Sequence, residues 1–243
     1  MICSSEKVIE NKLISEDIYL MKIKGEFQGA PGQFYMIKSW DNELILPRPI
    51  SIFDIDEEGI SFLYQLKGKG TKLMSEVNVG ERVQIMGPLG NTFNKEAKGK
   101  IAIVGGGIGV APMVYLAKEL KAEKVDFYAG FKNVDYSVET VEKYVNKIIL
   151  STETGEKGKK GFITEYLKPE EYDLVLCCGP EIMMKKVVDM CNKVSTKVFV
   201  SMEKRMACGI GACLVCTCKT TEGNKRTCKD GPVFDGKDLI FND

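Results

Sequence analysis

KIAIVGGGIGVAPMVYLAKELKAEKVDFYAGF, residues 100–131, reads as a strand, a glycine turn, a helix and a second strand. The apolar run ends in GGGIGVAP (105–112), an apolar segment VAPMVYLAKELKAE follows, and VDFYAGF returns to a strand pattern. The alternation continues with SVETVEKYVNK as an amphipathic helix, KIILST and YDLVLCCG as strands, EIMMKKVVDMCNKV as a helix and KVFVSME as a closing strand. Strands alternating with helices predict an α/β doubly wound parallel sheet over residues 99–200.

Upstream, residues 1–98 carry short apolar runs between turn signals: IYLMKI (18–23), QFYMIK (33–38), ISIFDI (50–55), ISFLYQL (60–66) and ERVQIMGPLG (81–90). This spacing predicts a small antiparallel β-barrel or sandwich. One helical piece is expected after Gly70, with Thr71 as its cap. Downstream, residues 201–243 contain MACGIGACLVCTC and then RTC, with Cys208, Cys213, Cys216, Cys218 and Cys228. That segment is too short for its own core, so a metal is expected to organise it. The expected architecture is α+β multidomain: an antiparallel β-barrel, a doubly wound α/β domain and a small cysteine-rich domain.

With 243 residues, 44% hydrophobic content and 34 basic against 34 acidic side chains, the composition is that of a globular chain with two or three small domains. Balanced charge gives no electrostatic basis for nucleic acid or an anionic membrane surface. The absence of histidine excludes Ser-His-Asp and Cys-His catalysis, a Rieske cluster and any histidine-bound metal. The opening MICSSEKVIENK lacks the apolar stretch of a secretory signal. The longest apolar stretch, IAIVGGGIGVAPMVYLA, is interrupted by glycines and Pro112, which argues against a membrane span. Nine cysteines without an export signal point to a reducing, cytoplasmic setting.

The order Cys-x4-Cys-x2-Cys with a distant fourth cysteine is the plant-type spacing for a [2Fe–2S] cluster, which makes Cys208, Cys213, Cys216 and Cys228 the expected ligands. Four thiolates also suit tetrahedral zinc, but zinc sites more often use two separate short knuckles, whereas three cysteines crowd one loop here. Cys218 is surplus to the spacing, and its substitution for Cys228 stays open. Gly209 and Gly211 permit a tight curl that turns backbone N–H groups toward sulfur. Cys3 and Cys191 read as incidental thiols.

Other motifs suit phosphates and flavins. Gly105, Gly106, Gly107 and Gly109 permit close approach of backbone N–H groups and a helix N-terminus to a pyrophosphate, and the strand–helix context favours this over a ligand-free glycine turn. Cys178, Gly179 and Pro180 fall at the end of a later parallel strand, where ligands of such sheets gather. Cys178 should face that crevice and Cys177 the opposite side; alone, Cys178 also reads as a buried small hydrophobe. In RPIS (48–51), Arg48 offers a planar multi-donor group and Ser51 a hydroxyl, while Pro47 and Pro49 hold the strand extended. As an isolated tetrapeptide it reads as a surface arginine beside an edge strand. YQLKGKGT (64–71) places Gly70 and Thr71 at a second helix start able to take a phosphate, with Lys67 and Lys69 as solvated charges.

Taken in order, RPIS, YQLKGKGT, GPLGN, GGGIGVAP and CCGPEIMM resemble the ferredoxin-NADP reductase superfamily, in which a flavin-binding barrel precedes a nicotinamide-nucleotide domain. The extension MEKRMACGIGACLVCTCK…TCKDGPVFDGKDL narrows the resemblance to the electron-transfer subunits of dihydroorotate dehydrogenase B, over the whole chain. The resemblance implies FAD on residues 1–98, NAD on 99–200 and a [2Fe–2S] cluster on 201–243. It implies that Arg48, Pro49, Ile50 and Ser51 line FAD, with Arg48 near the pyrophosphate and Ser51 near the ring. Leu63, Tyr64 and Gln65 would border the isoalloxazine or ribityl chain, and Gly70 with Thr71 would take a phosphate. Gln65 stands where relatives often carry arginine. Gly105, Gly106, Gly107 and Gly109 would cradle NAD(H), with Cys178, Gly179 and Pro180 near the nicotinamide. The four cysteines would ligate the cluster, and no residue is implied as catalytic beyond the nearness of Ser51 and Cys178 to flavin and nicotinamide. NAD⁺ rather than NADP⁺ is what the resemblance implies; the sequence leaves NADP⁺ open, since Lys132, just after the strand ending in GF, could meet a 2′-phosphate.

In the family, a partner subunit with FMN oxidises dihydroorotate, and electrons pass through the [2Fe–2S] centre to FAD and then to NAD⁺, in pyrimidine biosynthesis. The implied assembly is a heterotetramer of two plus two subunits. The alternatives are a standalone NAD(P)H-dependent flavin and iron–sulfur reductase serving another acceptor, and a zinc-bound interaction module.

Overall fold

The structure, a computed structural model, describes residues 2–41 and 43–241. Six strands, β1 (Ile2–Ser15), β2 (Ile18–Lys24), β3 (Phe34–Lys38), β4 (Arg48–Ile55), β5 (Gly59–Gln65) and β6 (Arg82–Leu89), close an antiparallel barrel in the order β1-β2-β5-β4-β3-β6. Five of them lie on the predicted apolar runs. Alternation puts Met21 and Ile23, Tyr35 and Ile37, Ile60, Phe62 and Tyr64, and Val83 and Ile85 inside. A short helix, α1 (Lys69–Ser75), closes the barrel by burying Met74 completely. Thr71 is two residues inside this helix rather than its cap; its Oγ1 accepts from the Lys67 and Gly68 N–H groups at 2.9 and 3.2 Å.

Strand β1 was not legible in advance. It is largely exposed on both faces, so its sequence shows no clean alternation. Its first half pairs with β6 and its second half with β2, with a register shift between Val8 and Glu10. One strand thereby turns the corner that closes the barrel.

The second domain begins at β7 (Lys100–Gly106), followed by α2 (Val110–Glu119), β8 (Lys124–Phe131), β9 (Lys147–Thr152), a two-residue β10 (Lys159–Lys160), β11 (Leu174–Cys178), α3 (Glu181–Lys193) and β12 (Lys197–Ser201). The sheet order is β10-β9-β8-β7-β11-β12, all parallel. Helix α2 packs on one face, in the apolar group around Ile101, Ile103 and Phe127, and α3 on the other, with Ala102, Val104 and Val175. The fold is therefore doubly wound, and strand order reverses at β7, between β8 and β11.

Every residue from Val110 to Ala117 is buried. A helix apolar on all sides needs neighbours on all sides, and α2 has them: the sheet on one flank and the barrel on the other. Tyr115 donates to Gly29 O at 3.2 Å, and Lys118 pairs with Asp54 of β4 at 2.5 Å.

One predicted helix is different. SVETVEKYVNK forms a 3-10 segment over Val138–Tyr144, introduced by Ser137 at φ 62°. Only Val138 and Val141 are buried there. That spacing of three suits the tighter helix, and valine and threonine favour an α-helix weakly.

The tail folds on its neighbours. β13 (Thr217–Thr220) and β14 (Gly223–Arg226) form a hairpin, and β15 (Val233–Asp235) joins the large sheet antiparallel to β12. Cys218 and Leu239 pack in the apolar group of the large sheet, and Cys216 and Cys228 meet Phe34, Met36 and Leu89 of the barrel. The segment, too short for a core of its own, also borrows apolar surface from the barrel and from the large sheet.

Candidate functional site

The cysteines form two pairs. Cys208 and Cys213 lie within hydrogen-bonding reach of each other, as do Cys216 and Cys228. Among the described residues, no three Cys, Asp, Glu or His side chains close around a single point. Cysteines held in two pairs suit the two irons of a [2Fe–2S] cluster.

The loop between the first two cysteines is shaped by backbone. Gly209 and Gly211 take φ +71° and +83°, values that favour glycine. Burial pushes the Cys208 thiol up, but N–H groups of Cys213, Ile210 and Ala212 and the Cys213 thiol outweigh it and bring it down to about 6. Gly211 N–H donates to Cys228 Sγ at 3.1 Å and Cys228 N–H to Cys216 Sγ at 3.4 Å. Burial and the neighbouring Cys216 raise Cys228 to about 12. Iron takes thiolates, so occupancy displaces these protons. Thiol donors in pairs, ringed by N–H groups, fit a [2Fe–2S] cluster.

Cys218 sits elsewhere. It is buried with Met202, Phe234 and Leu239, and its Sγ donates to Lys225 O at 3.5 Å. Replacing it by serine is expected to leave iron content unchanged while costing about 1–2 kcal/mol of stability, because a hydroxyl enters an apolar group. Iron analysis together with urea unfolding checks both halves.

Residues that the motif reading passed over hold the loops together. Arg226 makes a bidentate pair with Asp230, at 2.9 Å from both Nε and Nη2, and donates from Nη1 to Gly211 O at 3.2 Å. That pairing holds the Asp230 carboxyl down at about 2. Asn91, the last residue of GPLGN, donates from Nδ2 to Val233 O at 2.8 Å and to Asp230 O at 3.2 Å. Its Oδ1 accepts from Val233 N–H at 2.8 Å, so one side chain clasps the tail to the barrel. The signal was available: a polar residue following a glycine turn, matched to the DGPVF stretch.

On the barrel, Arg48 and Gly70 converge. A methyl group added to Gly70 would stand 2.4 Å from Arg48 Nε, so the missing side chain makes room for the guanidinium. Arg48 also donates to Leu46 O and lies 5.1 Å from the centre of the Trp40 ring. RPIS is half-buried along its length. A guanidinium beside α1, on a half-buried strand, is a donor set that fits the phosphates of FAD.

The motif LYQ (63–65) divides its side chains between the two faces of β5. Tyr64 is inside the barrel, 1% exposed, with its hydroxyl donating to Asn11 Oδ1 at 3.0 Å. Strand alternation turns its side chain into the barrel, so what it offers at the outer surface of β5 is backbone. Leu63 is buried in the apolar group that includes Phe53 and Ile18, and Gln65 Nε2 donates to Asp17 Oδ2 at 2.9 Å.

The two glycine loops of the second domain meet at the switch point. Cys178 and Gly105 are register partners on β11 and β7. A methyl group on Gly109 would lie 2.6 Å from Cys178 O and from Gly179 Cα, and one on Gly106 would lie 3.0 Å from Pro180 Cδ. Gly107, at φ +53°, faces open space. Such a crevice, with bare backbone at the carboxyl ends of two parallel strands, fits a dinucleotide. Cys177 and Cys178 face opposite sides of the sheet, as alternation requires. Burial pushes the Cys178 thiol up to about 12, so it stays protonated and packs rather than attacks.

The profile of the iron-sulfur cluster binding domain of dihydroorotate dehydrogenase B matches residues 203–240. The dihydroorotate dehydrogenase B (NAD(+)) electron transfer subunit of Clostridium acetobutylicum is 62% identical over 239 residues, covering 98% of this chain and 97% of that one. The chain belongs to the family of dihydroorotate dehydrogenase B electron transfer subunits. The family member of Clostridium perfringens is 51% identical, with 97% of each chain covered. Among solved structures, that of an NADH-dependent reduced ferredoxin-NADP oxidoreductase, a flavin-based electron-bifurcating enzyme, superposes with a TM-score of 0.88. It is 26% identical and covers 97% of this chain and 90% of that one. The fold and iron–sulfur tail of this family member thus agree with the sequence resemblance.

Proposed function

We propose that this chain is the oxidoreductase subunit that carries electrons between a dihydroorotate dehydrogenase catalytic subunit and NAD⁺, in pyrimidine biosynthesis. The observation that carries this reading is the docking of the paired cysteines on β3, the strand hydrogen-bonded to RPIS, together with family membership. When bound, FAD exchanges a hydride with NAD(H) and single electrons with a [2Fe–2S] cluster. The chain's own residues position these groups. Arg48 offers the guanidinium for the FAD phosphates, and Pro49, Ile50 and Ser51 present the strand edge beside the ring. Thr71 holds the turn ahead of α1, and Gly70 keeps it clear for Arg48. Gly105, Gly106, Gly107 and Gly109 admit the dinucleotide phosphates, and Cys178, Gly179 and Pro180 form the opposite wall. Cys208 with Cys213, and Cys216 with Cys228, hold one iron each.

The corresponding domains are 1–98 for FAD, 99–200 for NAD and 201–243 for the cluster. The partner on this reading is an FMN-containing subunit, in a complex of two plus two, in the cytoplasm. Among the described residues no helix is long and apolar enough to cross a membrane. The test is spectroscopic. The purified chain is expected to show flavin and iron–sulfur absorption that bleaches with NADH. Dihydroorotate should bleach it only once the FMN-containing subunit is added. A colourless protein would refute the reading; bleaching by NADH without dihydroorotate response would point to a standalone reductase.

A further inference from the structure

Strand β3 is apolar on both faces. Tyr35 and Ile37 fill the barrel, whereas Phe34 and Met36 point outward into the group containing Leu89, Cys216 and Cys228. Met36 is 1% exposed. On its outer side it touches the cysteine loop: a methyl group on Gly209 would stand 2.9 Å from Met36 Cγ and 3.2 Å from its Sδ. Only bare backbone at Gly209 lets the thioether lie against the loop one residue past Cys208. Along the sheet, Met36 is the register partner of Pro49 in RPIS, and Phe34 is that of Ser51. The cysteine pairs differ in depth. Cys216 and Cys228 are buried in the Met36 group, whereas Cys213 is exposed and Cys208 half-buried.

We infer that the Cys216–Cys228 side of the iron–sulfur site is its flavin-facing side, and that Met36 is the packing bridge across which electrons pass between it and the flavin on RPIS. The inference rests on the cofactor assignment proposed above. Each event is a one-electron exchange: the reduced flavin loses one electron and one ferric iron becomes ferrous, or the reverse. No bond or proton changes at Met36, whose role is to fill the gap with polarisable, close-packed atoms. Electron tunnelling decays much more steeply across an empty gap than through packed matter, so a void at this point matters more than one of equal size elsewhere.

The experiment uses the FAD- and cluster-loaded chain, mixed anaerobically with NADH. Flavin bleaching is followed optically and cluster reduction by freeze-quench EPR, and their rates are compared as a ratio. Met36→Ala is expected to lower the ratio roughly tenfold. Met36→Leu, which keeps the volume, should hold the ratio near the parent value. Met86→Ala is the control: Met86 borders the same apolar group and is the register partner of Met36 on β6, so it opens a void beside Met36 but one strand farther from RPIS, with no pairing to β4. It should leave the ratio unchanged. An unchanged ratio in Met36→Ala, or an equal loss in Met86→Ala, would overturn the bridge. So would a shifted cluster potential or altered EPR line shape in Met36→Ala, since driving force would then explain the rate. If Met36→Ala does not load cofactors, Met36→Val takes its place under the same criteria. A parent chain lacking flavin or cluster sinks the cofactor assignment instead, which separates the two failures.

Discussion

Cys213→Ser is expected to abolish the iron–sulfur absorption and EPR signal while the flavin band persists and still bleaches with NADH. The asymmetry follows from where Cys213 stands. It is the exposed member of the outer pair, on the loop curled by Gly209 and Gly211, and it touches neither the barrel interior nor the glycine crevice. Serine is a poor iron ligand at neutral pH because its hydroxyl stays protonated, so one iron loses half of its protein ligands. The tail should nevertheless remain folded. The Asn91 clasp, the pairing of β15 with β12 and the contacts of Cys216 and Cys228 with Phe34 and Met36 are independent of the metal. Transfer of electrons to the partner subunit should vanish with the signal. Iron analysis, EPR and an NADH titration on one preparation read all of this, and retained delivery to the partner would contradict the assigned relay.

Gly109→Ala should do the reverse. The new methyl group would meet Cys178 O, Gly179 Cα and Cys178 C at 2.6 to 2.7 Å, all of them backbone atoms that cannot rotate aside. The loops after β7 and β11 would have to separate, at a cost of about 1–3 kcal/mol, typical of overpacking. Their separation disassembles the crevice, so bleaching by NADH should be lost or should require far more NADH. Bleaching by dithionite, and the iron–sulfur signal, should survive. A wild-type NADH titration in Gly109→Ala would show that the nucleotide binds elsewhere.

The three-part architecture was readable because each part speaks a different dialect: short apolar runs, strand–glycine–helix alternation, and cysteine spacing. What stayed hidden has physical reasons. β1 buries too little of either face to leave an alternating trace. The 137–147 segment has helical spacing on paper, yet it offers the sheet only two valines. That Tyr64 turns into the barrel while Leu63 turns outward follows from strand alternation, which a motif written as consecutive letters does not display. The four cysteines were legible as a set, but their division into a buried and an exposed pair depends on β3, far away in sequence. QFYMIK did carry a clue: an apolar run without polar alternation means that both faces are covered. Asn91 and Arg226 act through single hydrogen-bonding side chains, which no periodicity reveals.

The burial of α2 from Val110 to Ala117 bears on how the molecule works. A helix buried between barrel and sheet along its whole apolar length, with Tyr115 bonded to Gly29 O and Lys118 to Asp54, joins the two halves through a common core. This protein is built as a welded chassis. The strand that carries RPIS and the loop that carries GGGIGVAP are thus set against each other by one shared core, formed in the same folding event.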